Sequence, residues 1–203
     1  MSEEKSGLPI LAFADSGAFE TWLAAAPAGS PGLWVKFAKP SAGVASISKS
    51  EAIDVALCHG WIDGQLDKYD ADFWLTRFTS RKKASKWSAN NCKRVLALIE
   101  TGRMRPAGLA EVEAAKADGR WQDAYAPQSE AEVPSDLAEA LAANPAAERF
   151  FATLTGVNRY AVLYRIADAK KPETRQARIE KFVDMLSRGE TVYPQKSKRA
   201  GAA

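Results

Sequence analysis

Apolar and polar positions along this chain repeat with two different periods, and each change of period marks an element. From residue 15 to about 26, Phe19, Trp22 and Leu23 recur at helical spacing behind Asp15, which can cap the first turn. Pro27 to Gly32 breaks that pattern. From Leu33 to Lys39 the period falls to two, with Leu33, Val35 and Phe37 set against Trp34, Lys36 and Ala38, and this predicts a strand. Pro40 to Gly43 reads as a turn. Ser48-Lys49-Ser50-Glu51 reads as a capping box, because Ser48 and Glu51 can each satisfy a backbone group of the opening turn. The helix that follows buries Ile53, Ala56 and Leu57 and is expected to stop at Gly60. Trp61-Ile62-Asp63 is short and extended. Phe73 to Thr79 alternates again, Trp74, Thr76 and Phe78 opposing Phe73, Leu75 and Arg77.

Two further helices are predicted, one from Ser88 to Thr101 closed by Gly102, the other opened by Pro106 and ended by Gly119. Two to three strands among about four helices make residues 15–122 an α+β domain behind a polar N-terminal tail, residues 1–14. Residues 123–134 carry Pro127, Gln128, Ser129, Glu130, Glu132 and Pro134 with little apolar content, and read as a linker. From 135 to 190 every pattern is helical. Ser135 opens one helix, Asn144-Pro145 a second, and Tyr160, Leu163, Tyr164 and Ala167 mark a third. After Lys171-Pro172, Ile179, Phe182, Val183 and Leu186 mark a fourth that ends at Gly189. Residues 191–203 form a basic tail, expected to fray. The fold class is therefore α+β, a small mixed unit followed by an all-helical module.

Composition narrows the function classes. At 203 residues and 46% hydrophobic, the chain can bury a core without a disulfide or metal staple. No apolar run reaches the length of a membrane span, and the polar opening is expected to carry no export signal. Cys58 and Cys92 form no ligand cluster, and the single histidine, His59, cannot build a multi-histidine metal site. Asp63, Asp67, Asp70 and Asp72 miss the spacing of a calcium loop, and no glycine-rich phosphate loop or dinucleotide fingerprint is present. The expectation is no metal, no cofactor, and a cytoplasmic protein with both thiols reduced. The sequence sets no oligomeric state.

Charge changes the picture more than composition does. The net charge is only +3, yet residues 81–105 hold eight basic side chains against Glu100 alone, leaving that segment at +7 and the remainder at −4. A local field of this kind attracts phosphate, nucleic acid or an acidic protein surface. Trp87 offers a stacking face, Ser85, Ser88 and Asn91 offer hydrogen bonds, and a helix beginning at Ser88 would aim backbone N–H groups at an anion. The plain alternative is a solvated basic face, with Ser88 an N-cap and Trp87 in the core. A second constellation is Cys58-His59-Gly60-Trp61-Ile62-Asp63-Gly64. Here Cys58 and His59 read as packing residues at a helix end, and Asp63 as a carboxylate pairing with Arg77 or Arg81. In the C-terminal half Arg165, Lys170, Arg175 and Arg178 are interspersed with Asp168, Glu173, Glu180 and Asp184, which favours a salt-bridged surface over a DNA-reading face.

Several of these stretches coincide with a known family. Gly32-Leu33-Trp34-Val35-Lys36, Gly60-Trp61-Ile62-Asp63-Gly64, Arg77-Phe78-Thr79 with Arg81-Lys82, Trp87-Ser88 with Asn91, and Glu173-Thr174-Arg175 with Arg178-Ile179 together resemble the YdeI/OmpD-associated family, over about residues 15 to 190. The resemblance implies a link to bacteriocin protection, to an outer-membrane porin and to tolerance of cationic antimicrobial peptides. It supplies no catalytic residue. The motif positions it transfers are Trp61, Asp63, Arg77, Arg81, Ser85, Trp87, Ser88 and Asn91. Arg165 departs from the tryptophan expected before Ile166. A route through cytoplasmic stress tolerance suits the polar opening better than direct contact with a porin.

Three functions follow, in order. First stands a non-enzymatic protein binding an anionic small molecule or nucleic acid through residues 77–91, with Lys82 beside the positions just named. Second is an interaction module docking an acidic protein partner on the basic loop. Third is an enzyme with Asp63 as acid or base, Arg81 as anion clamp, and Ser85 or Ser88 as nucleophile.

Overall fold

The computed structural model describes residues 3–27 and 29–195, and its chain divides into two compact units, residues 1–124 and 125–203. The first contains five strands, β1 (Glu4–Lys5), β2 (Leu8–Ala12), β3 (Leu33–Ala38), β4 (Trp61–Lys68) and β5 (Phe73–Ser80). Its helices are α1 (Ser16–Ala25), α2 (Lys49–Cys58), α3 (Ala89–Glu100) and α4 (Pro106–Ala117). The sheet runs β1-β2-β3-β5-β4, antiparallel except for the parallel β2–β3 pair, which α1 connects.

Residues 1–14 are expected as a polar tail, and here the structure differs: residues 4–12 are two strands of the sheet. Pairing holds them, not propensity. Ile10, Leu11 and Ala12 lie beside Trp34, Val35 and Lys36, the Trp34 indole donates to the Lys5 carbonyl at 3.0 Å, and Leu8 is buried. Pro9 is tolerated because β2 sits near the sheet's edge. β4 is also longer than the sequence suggests, continuing past Asp63 through a register irregularity before Leu66.

Alternation in β3 and β5 sorts side chains onto two faces. Leu33, Val35, Phe37 and Phe78 meet Phe19 and Leu23 of α1 and Ala52, Val55 and Ala56 of α2. Each fully buried large side chain contributes about 1.5–3 kcal/mol, against about 0–1 kcal/mol for a surface ion pair, so this face decides the fold. The opposite face carries Trp34 and Leu75 beneath Leu8, Ile10 and Tyr69. A third cluster joins the end of α2 to α3 and α4 through Leu57, Cys58, Trp87, Val95, Leu98 and Val112. Gly108 makes that junction possible, since a Cβ there would lie 2.2 Å from the Cys58 carbonyl oxygen.

The second unit contains α5 (Ser135–Ala142), α6 (Pro145–Ala152), α7 (Gly156–Ala167) and α8 (Pro172–Ser187) around Leu137, Phe151, Val162, Ile166, Ile179 and Leu186. Arg175 reaches Asp136 with Nε at 2.5 Å and Nη2 at 2.9 Å, and its Nη1 donates to the Ile166 carbonyl, tying α8 to α5 and α7. Arg178 donates to the Arg165 carbonyl. These arginines work inside the unit. Part of the expected linker belongs to it as well, because Ala131 and Val133 pack on its core and Tyr125 meets Tyr164 edge-on at 5.3 Å. Of the expected tail, residues 191–195 are held: buried Asn158 donates to the Tyr193 carbonyl at 3.1 Å and accepts from its N–H at 2.9 Å. Residues 196–203 lie outside the described residues. Among the described residues, no helix is long and apolar enough to cross a membrane.

Candidate functional site

The β4–β5 hairpin presents most of the expected site residues, and its register decides where each one points. Asp63 pairs with Phe78, and Ile62 with Thr79. Directly paired residues share a face, so Asp63 lies on the α2 side, while Arg77 and Thr79 lie on the other. Asp63 accordingly meets Lys49 at the start of α2, Nζ to Oδ2 3.5 Å, with a side chain 22% exposed. The sequence reading paired Asp63 with Arg77 or Arg81. Strand alternation turns Arg77 the opposite way, and burial takes Arg81 elsewhere. Trp61, the first residue of β4, is a core residue packed edge-on against Trp22 at 5.8 Å.

Arg77 instead looks into an open cleft of about 620 Å³. Ile62, Asp63, Gly64, Arg77 and Thr79 of the hairpin line it on one side and Ser30 and Pro31 form a wall, with Lys82 beside them. The wall stands against the hairpin because Gly32 allows it. Gly32 has φ +115°, and a Cβ there would fall 2.4 Å from the Phe78 carbonyl oxygen. Neither Arg77 nor Lys82 has an ion-pair partner among the described residues. Ser30, Pro31 and Thr79 were not among the expected site residues. The signal available for them was the Pro27–Gly32 break, a rigid, glycine-punctuated loop of the kind that carries binding groups.

The rest of the basic segment is put to structural use. Arg81 is only 6% exposed, its guanidinium carbon 3.5 Å from the centre of the Trp87 ring, its Nη1 donating to the Lys86 carbonyl and its backbone N–H to Gly60. Trp87 packs in turn on Trp121 at 5.0 Å. Ser85 closes the turn at 82–85, its hydroxyl accepting from the Lys82 N–H and its carbonyl from Arg120. Ser88 caps α3, accepting from the Asn91 N–H at 3.1 Å. Both hydroxyls are thus engaged with backbone. Arg94 pairs with Asp54 and Arg105 with Glu20, each at 2.6 Å. The aspartates separate too: Asp67 pairs with Lys5, and Asp70 accepts two backbone N–H bonds of its own turn.

His59 ends α2 in a half-enclosed setting. Its Nε2 lies 3.6 Å from Glu20, beyond hydrogen-bond reach, and burial pulls its pKa below the ordinary value, opposed by Glu20. Arg105 beside Glu20 holds that carboxyl below the usual range. Burial pushes the Cys58 and Cys92 thiols up, leaving both as protonated packing residues.

The molecule is thus an α+β unit bearing a cationic cleft, followed by a helical unit. Residues 130–189, the helical part, match the family described as Bacteriocin-protection, YdeI or OmpD-Associated. Residues 11–111 match a domain of unknown function, DUF8412. The Trp61, Arg77 and Trp87 motifs fall within this second match. No curated protein and no solved structure matches the chain.

Proposed function

We propose that this is a non-catalytic binding protein whose N-terminal unit holds a small anion in the Arg77–Lys82 cleft. One observation carries the reading: two cations without carboxylate partners among the described residues share one concave site with Thr79. A guanidinium fork beside an ammonium is the usual chemistry of anion recognition. The expected site shrinks accordingly to Arg77, Lys82 and their neighbours, while Trp61, Arg81, Ser85, Trp87 and Ser88 support the scaffold. Asp63, held by Lys49, is not needed as an acid or base. The match of residues 130–189 to the bacteriocin-protection family supports a role in such protection, with the cleft as the ligand-binding part, in the cytoplasm where both free thiols stay reduced.

Thermal unfolding with phosphate, sulfate and citrate at low and high salt tests the proposal. An anion at about 100 times its Kd adds about 2.7 kcal/mol of stability. That gain should shrink with salt and fall to about half in Arg77→Ala. Stabilisation undiminished in both Arg77→Ala and Lys82→Ala, or none with any anion, refutes it.

A further inference from the structure

We infer that the Arg77–Lys82 cleft takes a phosphate monoester on a small polar body, a group carrying two negative charges; this rests on the anion-binding reading above. Charge count is the first argument. Two cations line the cleft, and the charge of Asp63, which lines it too, is met by Lys49 at 3.5 Å. A net of two positive charges matches a dianion better than the single charge of a carboxylate. Arg77 can grip two oxygens at once, Lys82 adds a point charge, and Thr79 supplies a hydroxyl donor to the remaining oxygen.

Size is the second argument. A cleft of about 620 Å³ has room for more than a phosphoryl group. The space left over is bounded by Ile62 and Pro31 with the Gln65 amide and Ser30 hydroxyl, surroundings that suit a short chain bearing hydroxyls.

A nucleic-acid strand is the phosphate source that the +7 segment suggests, and the fold argues against it. Strand binding needs a run of cations tracking successive phosphates and accessible aromatic faces. Arg81 is buried against Trp87, Trp87 is itself 2% exposed, and Arg94 and Arg105 are spent on Asp54 and Glu20. Three of the segment's eight cations are therefore taken up by the fold, and its one indole offers no accessible face.

Isothermal titration of the full chain with glycerol 3-phosphate, glycerate and a short oligothymidylate, at about pH 7.5 and about pH 5, separates the outcomes. Glycerol 3-phosphate is expected to bind at the higher pH and about tenfold more weakly at the lower, because its second proton returns near pH 6. Glycerate, ionised at both values, is expected to bind at least about tenfold more weakly than the phosphate at the higher pH. Arg77→Ala and Lys82→Ala, both exposed positions, should each weaken the phosphate about tenfold without moving the unfolding midpoint. Glycerate binding as tightly as the phosphate, or phosphate affinity indifferent to pH, overturns the dianion inference and leaves the anion cleft standing. Oligothymidylate binding more tightly than the phosphate, and through Arg77, overturns it in favour of a phosphodiester chain. No binding by any of the three overturns both.

Discussion

The guanidinium carbon of Arg81 lies 3.5 Å from the centre of the Trp87 ring, and the indole is sandwiched further by Trp121 at 5.0 Å. Arg81 also anchors the loop by backbone, its N–H donating to Gly60 at 2.9 Å. The most basic stretch of the chain thus owes part of its shape to a cation packed inward on an indole.

Arg81→Ala should therefore lower stability and spare binding. A desolvated cation–π contact contributes about 2 kcal/mol, and the stem's packing adds to it. Urea unfolding is expected to show a loss of about 2 kcal/mol or more, with glycerol 3-phosphate affinity unchanged. The reverse pattern, an intact midpoint with lost binding, would move the site to Arg81.

Gly32→Ala should damage fold and cleft together. The new methyl would meet the Phe78 carbonyl oxygen at 2.4 Å and the Thr79 side chain at 2.8 Å, at a φ that side chains rarely adopt. The expected cost is about 3 kcal/mol or more, with weaker anion binding as the Ser30–Pro31 wall retreats. Gly29→Ala is the control: its φ is +78° but no atom lies within 4 Å, so about 1 kcal/mol is expected. Equal thermal shifts for the two variants would refute the close-approach argument.

His59 should make stability fall on mild acidification. Burial holds its folded pKa below the unfolded value of about 6.5, so between the two the unfolded chain binds more protons. The contribution is present above about pH 6.5 and is lost as pH falls through the folded value. Glu20, whose pKa is lowered by Arg105, loses its own contribution in a separate window below the ordinary carboxylate value. Melting temperatures from about pH 7.5 to 5 should decline, and His59→Gln should flatten the decline. An unchanged slope in that variant would mean another group is responsible.

Asn158→Ala should release the segment at 193–195. Asn158 is 2% exposed and meets both the N–H and the carbonyl of Tyr193, while its Nδ2 also donates to Gln195 at 3.1 Å. Removing a buried amide with these partners costs about 1–3 kcal/mol. Limited proteolysis should then cleave the chain beyond Arg188 faster than in the parent, and equal rates would count against the docking.

Local patterns in the sequence made the helices and two of the strands legible. The Ser48–Glu51 capping box and the Ser88 cap form as their spacing dictates, because both depend only on neighbours three residues apart. Period-two alternation marked β3 and β5 for the same reason. The β1–β2 hairpin was hidden because its short strands acquire their order from Trp34 and Val35, far along the chain. The sidedness of the basic residues was hidden too. Arg77 and Arg81 look alike in composition, but Arg77 is within β5 and Arg81 is just past its end, where the chain turns inward onto Trp87. Asp63 shows the same limit: only the register with Phe78 turns it toward Lys49.

β5, the last strand in chain order, lies between β3 and β4 and pairs with both. A nascent chain that ends before residue 73 therefore holds two strands with nothing to join them, and Phe78 is missing from beneath α1. The same eight residues that complete the sheet deliver Arg77 and Thr79, and Lys82 follows two residues later. The central pairing of the sheet and the lining of the cleft are thus completed by one short stretch of synthesis.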